Sequence, residues 1–298
     1  MSSSKYCGRF APSPTGDLHF GSLVTAVASY LEACVNSGEW LLRIDDIDTK
    51  RVKKGSIKKQ IDKLETLGFE WDREISYQSN NKKDYENALN KLTYKNSTYF
   101  CKCSRKTILA KSKKIKNNLI YPNSCKDLKL GYSKYRGIRV KTKNKLIKFN
   151  DGVYGPQSQN IEAEIGDFLI RRSDQCFSYQ LAVVVDDSKF GVTDVVRGSD
   201  LLDSTARQIY LYELLENDHP RYAHIPVVKD KQGKKVSKST QNDLTSAKNP
   251  IEILSNIWRY LNQPEHSNFH SLSLEDFWLF AKSNWDLKRI SDKTINEG

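Results

Sequence analysis

The chain begins with short apolar runs alternating with apolar positions at helical spacing. Tyr6 to Phe10 reads as a strand. A turn rich in proline and glycine follows, Pro12-Ser-Pro-Thr-Gly-Asp-Leu-His-Phe-Gly-Ser22, and then Leu23, Val27, Tyr30, Leu31 and Cys34 recur at the spacing of an amphipathic helix. Glu39-Trp-Leu-Leu-Arg-Ile44 reads as a buried strand ending in the acidic cluster Asp45-Asp46-Ile47-Asp48. Ile57, Ile61, Leu64 and Leu67 mark a second helix, stopped by Gly68, and a third covers about Lys82 to Leu92. Strand alternating with helix predicts an α/β fold with a parallel sheet, right-handed crossovers and a ligand site beyond the carboxyl ends of the strands. Arg9 and Asp45 fall at two such ends, beside the turn that carries His19.

From residue 98 to about 166 the pattern breaks into closely spaced cysteines, a basic stretch from Lys102 to Lys148, and short β-like runs at Ile138 to Val140 and Leu146 to Phe149. This reads as an insertion. The alternation is expected to resume with Phe168 to Arg172, the apolar run Phe177 to Val185, Val192 to Val196 and a helix from about Ser204 to Leu215, together forming the second half of the sheet. Two amphipathic helices close the chain, about Ile251 to Leu261 and Leu274 to Trp285. The expected units are therefore residues 1–97 and 167–235 for the two halves of a Rossmann-like domain, 98–166 for the insertion, and 236–298 for a basic loop with a small helical unit.

Composition adds a partner class. The chain has 298 residues and a formal net charge of +12, which favours a polyanion, although a lysine-rich surface that only keeps the protein soluble accounts for the same charge. No apolar stretch approaches the roughly 18 residues of a membrane span, and the first residues lack the apolar core of a signal peptide, so the expectation is a cytoplasmic protein. In that compartment Cys7, Cys34 and Cys176, each alone in a core element, read as small buried hydrophobes.

The turn before the first helix offers unpaired backbone N–H groups and a helix dipole to an anion, with His19 and Ser22 as further donors and Gly16 and Gly21 permitting close approach. Far along the chain, Lys235-Val-Ser-Lys-Ser239 follows Gln232-Gly233 and forms a basic loop able to reach over phosphates. Each segment alone is open to an ordinary reading, a structural turn and a solvated loop. Together and in this order they resemble the paired signatures of class I aminoacyl-tRNA synthetases, with Ser22 where most of the class has a second histidine. Gly8-Arg-Phe-Ala-Pro-Ser-Pro-Thr-Gly16, Leu42-Arg-Ile-Asp-Asp-Ile-Asp48, Tyr179-Gln-Leu-Ala-Val-Val-Val-Asp-Asp187 and Val196-Arg-Gly-Ser-Asp200 narrow the resemblance to the glutamyl/glutaminyl branch.

That resemblance implies adenylation of glutamate by ATP with Mg²⁺. It assigns catalysis to His19, Lys238 and Lys235, ATP binding to His19, Gly21, Ser22 and Lys238, and L-glutamate binding to Arg9, Ala11, Ser13, Asp45, Tyr179 and Arg197. The residue types suit this chemistry, since arginine offers planar charge-assisted donors to a carboxylate and an acid holds an ammonium. Asp45 departs from the family's usual glutamate, drawing the carboxylate back by one methylene.

Cys101, Cys103, Tyr121 and Cys125 follow the pattern C-x-C-x₁₇-Y-x₃-C, which on spacing alone leaves zinc and free thiols about equally open. Shortened glutamyl-synthetase relatives hold a structural zinc with three cysteines and a tyrosine, so the resemblance implies Zn²⁺ here. The basic insertion, with Tyr132, Tyr135 and Arg136, is suited to an RNA backbone and to base stacking, as any solvated charged surface would also be. Because only a short helical tail follows Ser239, the chain as a whole resembles the glutamyl-Q tRNA(Asp) synthetase family, which implies transfer of glutamate to queuosine in the anticodon loop of tRNA(Asp) by a monomer. An enzyme charging a tRNA 3′ end, or a non-catalytic RNA-binding paralogue, are the alternatives.

Overall fold

The computed structural model describes residues 5–115, 118–227 and 249–290. Strand β1 (Cys7–Phe10), helix α1 (Phe20–Val35), β2 (Glu39–Ile44), α2 (Ser56–Thr66) and β3 (Asp72–Tyr77) build a parallel sheet in the order β1-β2-β3, followed by α3 (Lys82–Tyr94). The sequence pattern does not reveal β3. It lies at the sheet edge with its first residues exposed, so it has no need of an apolar run. In contrast α1 is buried on most of its circumference, because both a sheet and the C-terminal helices pack against it.

The insertion contains β4 (Thr98–Cys101), α4 (Arg105–Lys111), a hairpin of β5 (Lys113–Ile115) and β6 (Asn118–Ile120), then β7 (Gly137–Val140), β8 (Leu146–Asp151), β9 (Gly155–Asn160) and β10 (Leu169–Arg171). The sequence places β10 in the second half of the main sheet, but it pairs antiparallel with β7, which also carries β4. Asp167 fixes that docking: its carboxylate takes the backbone N–H and hydroxyl of Thr142, each at 2.7 Å, at the end of β7. The β8/β9 hairpin behaves oppositely, since Asp151 of β8 pairs in parallel with Tyr222 and so attaches the hairpin to the main sheet.

The apolar run from Phe177 is a helix, α5 (Tyr179–Phe190), started by Ser178, whose hydroxyl accepts the Leu181 N–H, and stopped by Gly191 at φ 71°. Then follow β11 (Asp194–Gly198), α6 (Leu202–Leu215) and β12 (Arg221–Ile225), with β11 and β12 parallel. Thr193 N–H donates to the Cys7 carbonyl at 2.9 Å, and Cys7 N–H donates to the Thr193 hydroxyl at 2.9 Å. These bonds set β11 against β1 and bring the two halves of the sheet together, with a switch point between them.

Helices α7 (Pro250–Tyr260) and α8 (Leu274–Asn284) share one core with α1 and β2. Trp278 stacks edge-on against Tyr30 and Phe69, and its indole N–H reaches the Leu67 carbonyl at 3.0 Å. Cys7 is buried as expected, whereas Cys34 and Cys176 are only half-buried: Cys34 lies in the last turn of α1 and Cys176 in the loop before α5.

Candidate active site

A cavity of about 310 Å³ opens at the carboxyl ends of β1 and β11. Arg9, Ala11, Ser13, His19, Gly21, Ser22, Tyr179 and Arg197 all line it. Residues separated by most of the chain thus meet because β1 and β11 are neighbours. Lys235 and Lys238 lie outside the described residues.

His19 is the N-cap of α1, and its Nδ1 accepts the Ser22 backbone N–H at 3.2 Å. The Ser22 hydroxyl sits 3.3 and 3.2 Å from the two ring nitrogens. Serine at this position therefore holds the imidazole to the helix terminus. The first turn of α1 carries no acidic side chain, leaving the dipole free to favour an anion in the cavity.

Arg9 is buried, with its Nε 3.4 Å from both oxygens of Asp187. Arg43 binds the same carboxylate through Nη1 at 2.5 Å and Asp45 through Nε at 2.7 Å. Burial alone would raise the Asp187 carboxyl, but Arg9 and Arg43 outweigh it and hold the group below its ordinary value. Asp45 is pushed up by burial in spite of Arg43. The neighbouring Asp186 is pushed up to about 6, again by burial, while it accepts from Tyr85 at 2.8 Å, Gln78 at 3.0 Å and Asn81 at 2.9 Å. Asp45 faces an adjoining cavity of about 410 Å³, which shares Ala11, Ser13 and Tyr179 with the first.

Arg197 is held by Nε to His224 Nε2 at 3.0 Å, Nη1 to Gln208 at 2.7 Å and Nη2 to Thr205 at 2.9 Å. Arg43, Asp187 and His224 escaped the sequence reading as functional candidates. A polar residue inside an otherwise apolar run, as in Tyr222-Ala-His-Ile225 or at the end of Leu181 to Asp187, is the signal that could have found two of them.

In the insertion the sulfurs of Cys101, Cys103 and Cys125 all lie within 4.8 Å of one another, with Cys103 and Cys125 3.5 Å apart. The Tyr121 hydroxyl is 3.4 Å from Cys101 Sγ and 3.3 Å from Cys103 Sγ. A tetrahedral zinc with Zn–S bonds of ~2.3 Å spaces its sulfurs about 3.8 Å apart, so this S₃O set fits the ion. None of the three cysteines is in a disulfide.

The family model for class I tRNA synthetases of the E and Q types, catalytic domain, matches residues 6–249. Proteins named glutamyl-Q tRNA(Asp) synthetase from Neisseria meningitidis and Chromobacterium violaceum are each 40% identical to it, over 97% of this chain and 99% and 97% of their own lengths. The counterpart from Aromatoleum aromaticum is 41% identical over 95% of this chain and 89% of its own. The chain belongs to the glutamyl-Q tRNA(Asp) synthetase family. Among solved structures, a glutamate-tRNA synthetase from Elizabethkingia anophelis superposes with a TM-score of 0.80 at 23% identity, covering 97% of this chain and 67% of the other. A glutamate tRNA ligase from Elizabethkingia meningosepticum, in complex with its amino acid, gives 0.80 at 23%, covering 97% and 66%. That likeness establishes a class I glutamyl-type fold for this synthetase, which is a ligase with a parallel-sheet α/β catalytic domain.

Proposed function

We propose that this synthetase activates L-glutamate with ATP and transfers the glutamyl group to queuosine in the anticodon loop of tRNA(Asp). The observation that carries the reading is the convergence of Arg9, Arg197 and the His19-capped N-terminus of α1 on one cavity, which supports recognition of a carboxylate beside a phosphate. The names of the full-length relatives supply the acceptor.

In the first step a glutamate α-carboxylate oxygen bonds to the α-phosphorus of ATP as the bond to the leaving pyrophosphate breaks. Positioning and charge stabilisation suffice for such a displacement. His19 and the backbone around Gly21 and Ser22 receive the phosphates. Lys238, assisted by Lys235, neutralises charge on the leaving pyrophosphate. Arg9 and Arg197 take the side-chain carboxylate, Tyr179 adds a hydroxyl, and Ala11 and Ser13 form the wall of the amino-acid site. Asp45 takes the α-ammonium from the adjoining cavity. Mg²⁺ accompanying ATP would supply further charge neutralisation. In the second step a hydroxyl oxygen of the cyclopentenediol carried by queuosine bonds to the glutamyl carbonyl carbon, the bond from that carbon to the phosphate oxygen breaks so that AMP leaves, and the hydroxyl proton passes to solvent.

Cys101, Cys103, Tyr121 and Cys125 would hold one structural Zn²⁺, which has no open coordination position in a four-ligand set. The insertion supports that role, since the small apolar cluster around these residues gathers little beyond Tyr99, Ile108 and Leu130. Residues 98–166, with β10 completing their sheet, would then be the RNA-facing unit, set on the catalytic halves 1–97 and 167–235, with α7 and α8 of the unit 236–298 as a helical buttress. Exposed Tyr132 and Tyr135 support the RNA-facing assignment. The enzyme would act as a cytoplasmic monomer. Among the described residues no helix is long and apolar enough to cross a membrane.

The test uses labelled glutamate, ATP and tRNA from queuosine-containing and queuosine-lacking cells, followed by nuclease mapping. Label in the anticodon fragment of the queuosine-containing tRNA is expected. Label on the 3′-terminal adenosine would refute the reading in favour of an end-charging enzyme, and absence of glutamate-dependent pyrophosphate–ATP exchange would refute catalysis altogether.

A further inference from the structure

Arg197 is oriented by a chain of buried groups that the proposed reaction does not itself use. His224 stands opposite Arg197 in the parallel register of β11 and β12 and is fully buried. Its Nδ1 lies 2.5 Å from Asp151 Oδ2, and its Nε2 receives the Arg197 Nε–H at 3.0 Å. Because both arginine and an ionised carboxylate have fixed roles, donor and acceptor respectively, the imidazole must carry its proton on Nδ1 and present a lone pair from Nε2. Burial pushes His224 below the ordinary imidazole range, against the pull of Asp151, so the ring is neutral at physiological pH. Asp151 is in turn anchored: its Oδ1 accepts the backbone N–H groups of Val153 and Tyr154, each at 3.0 Å, and of His224 at 3.2 Å.

The partners of Arg197 have a shared property. His224, the Gln208 carbonyl oxygen, the Thr205 hydroxyl and the Leu201 backbone carbonyl, the last at 3.3 Å, are all neutral acceptors. They occupy four of the five guanidinium N–H groups and leave one on Nη1. Arg9 differs, since it sits against the Asp187 carboxylate, which cancels charge as it orients. A neutral histidine orients Arg197 without cancelling its charge.

We propose that His224, with its tautomer fixed by Asp151, is a positioning residue for amino-acid recognition that aims Arg197 at the substrate carboxylate with its full charge retained. The proposal rests on the reading of Arg197 as a carboxylate-binding residue.

The test compares His224→Leu, His224→Gln, Asp151→Asn and Arg197→Lys in glutamate-dependent pyrophosphate exchange, with thermal melts as a control for folding. His224→Leu removes the acceptor and is expected to raise the glutamate KM about 10- to 100-fold, the range for a lost hydrogen bond to a charged group, with the ATP KM within about twofold. Glutamine restores an acceptor near the Nε2 position, so His224→Gln should recover most of that loss. Asp151→Asn places an amide N–H against Nδ1, drives the ring proton to Nε2 and should raise the glutamate KM as His224→Leu does. Nitrogen-15 spectra of the wild-type ring should show the proton on Nδ1. A proton on Nε2, or equal glutamate KM values for His224→Leu and His224→Gln while Arg197→Lys is impaired, would overturn the positioning role and leave Arg197 in the amino-acid site. An unchanged glutamate KM in Arg197→Lys would overturn the reading of Arg197 itself, and the proposal with it.

Discussion

Asp186 and Asp187 are adjacent and both buried, but the same substitution should be costly at Asp187 and nearly neutral at Asp186. Asp187 lies against Arg9 and Arg43, so Asp187→Asn takes the carboxylate from the buried Arg9 guanidinium and leaves Arg43 hydrogen-bonded to Asp45, and breaking a buried ion pair costs ~3–5 kcal/mol. At ~1.5–2 °C per kcal/mol for a chain of this size, the melting temperature at pH 7.5 should fall by about 5–10 °C. Asp186 has no such pair within hydrogen-bond reach: its nearest guanidinium nitrogen, on Arg43, is 3.9 Å away. A carboxyl that titrates near 6 instead of 3.8 carries ~3 kcal/mol of penalty when ionised. Asp186→Asn removes that penalty and weakens the charge-assisted bonds from Tyr85, Gln78 and Asn81, two effects of similar size. The new amide N–H also has an acceptor available, because the Gln78 side-chain oxygen is buried without a hydrogen-bond partner and a flip of its amide would present it. Asp186→Asn should therefore lie within ~1 kcal/mol of wild type at pH 7.5.

The pH dependence separates the two further. The Asp186 carboxyl is raised on folding, so its proton stabilises the native state at low pH and that contribution is lost between about pH 4 and 6. The Asp187 carboxyl is lowered on folding, so its contribution is present above the unfolded value and lost as pH falls through the folded one. Melts followed by circular dichroism at half-unit steps from about pH 3 to 8 should show the gap between wild type and Asp187→Asn constant above about pH 5 and narrowing as the pH falls below about 4. Over the same range Asp186→Asn should gain on wild type. Equal losses for the two variants at every pH would refute the electrostatic account and reduce both residues to packing.

Two further outcomes follow from the site geometry. If Cys101, Cys103, Tyr121 and Cys125 hold zinc as proposed, Cys125→Ser should release it, read as metal per chain by elemental analysis after dialysis, and should loosen the insertion to proteolysis, since Cys125 is buried beside the other three; full zinc retention would remove it from the ligand set. Asp45→Glu restores the family's usual side chain and lengthens by one methylene an acid that lines the cavity adjoining the proposed amino-acid site. It should lower or preserve the glutamate KM in pyrophosphate exchange at a stability cost of ~1–3 kcal/mol for the added methylene, and complete loss of activity would show a site built around the shorter acid.

The sequence determined most of the local structure and singled out candidate residues that share one cavity. Apolar spacing located the main helices, because a helix or strand that buries one face must repeat its apolar residues at that period. Motif order singled out Arg9, His19, Tyr179 and Arg197, and they line one cavity. Periodicity could not locate β3, whose polar sequence is tolerated at an edge, or assign β10 to the sheet of the insertion, since strand partners are chosen by register and by groups such as Asp167 that lie outside the strand. Nor could it tell that the Phe177 run is helical, a decision made by the Ser178 cap and by burial on several sides. Only the tertiary structure showed which charges face one another. Arg9 meets Asp187 and Arg197 meets neutral His224, and this difference arises because β1 packs against α5 and β11 against β12, a relation between segments far apart in the chain that no local pattern encodes.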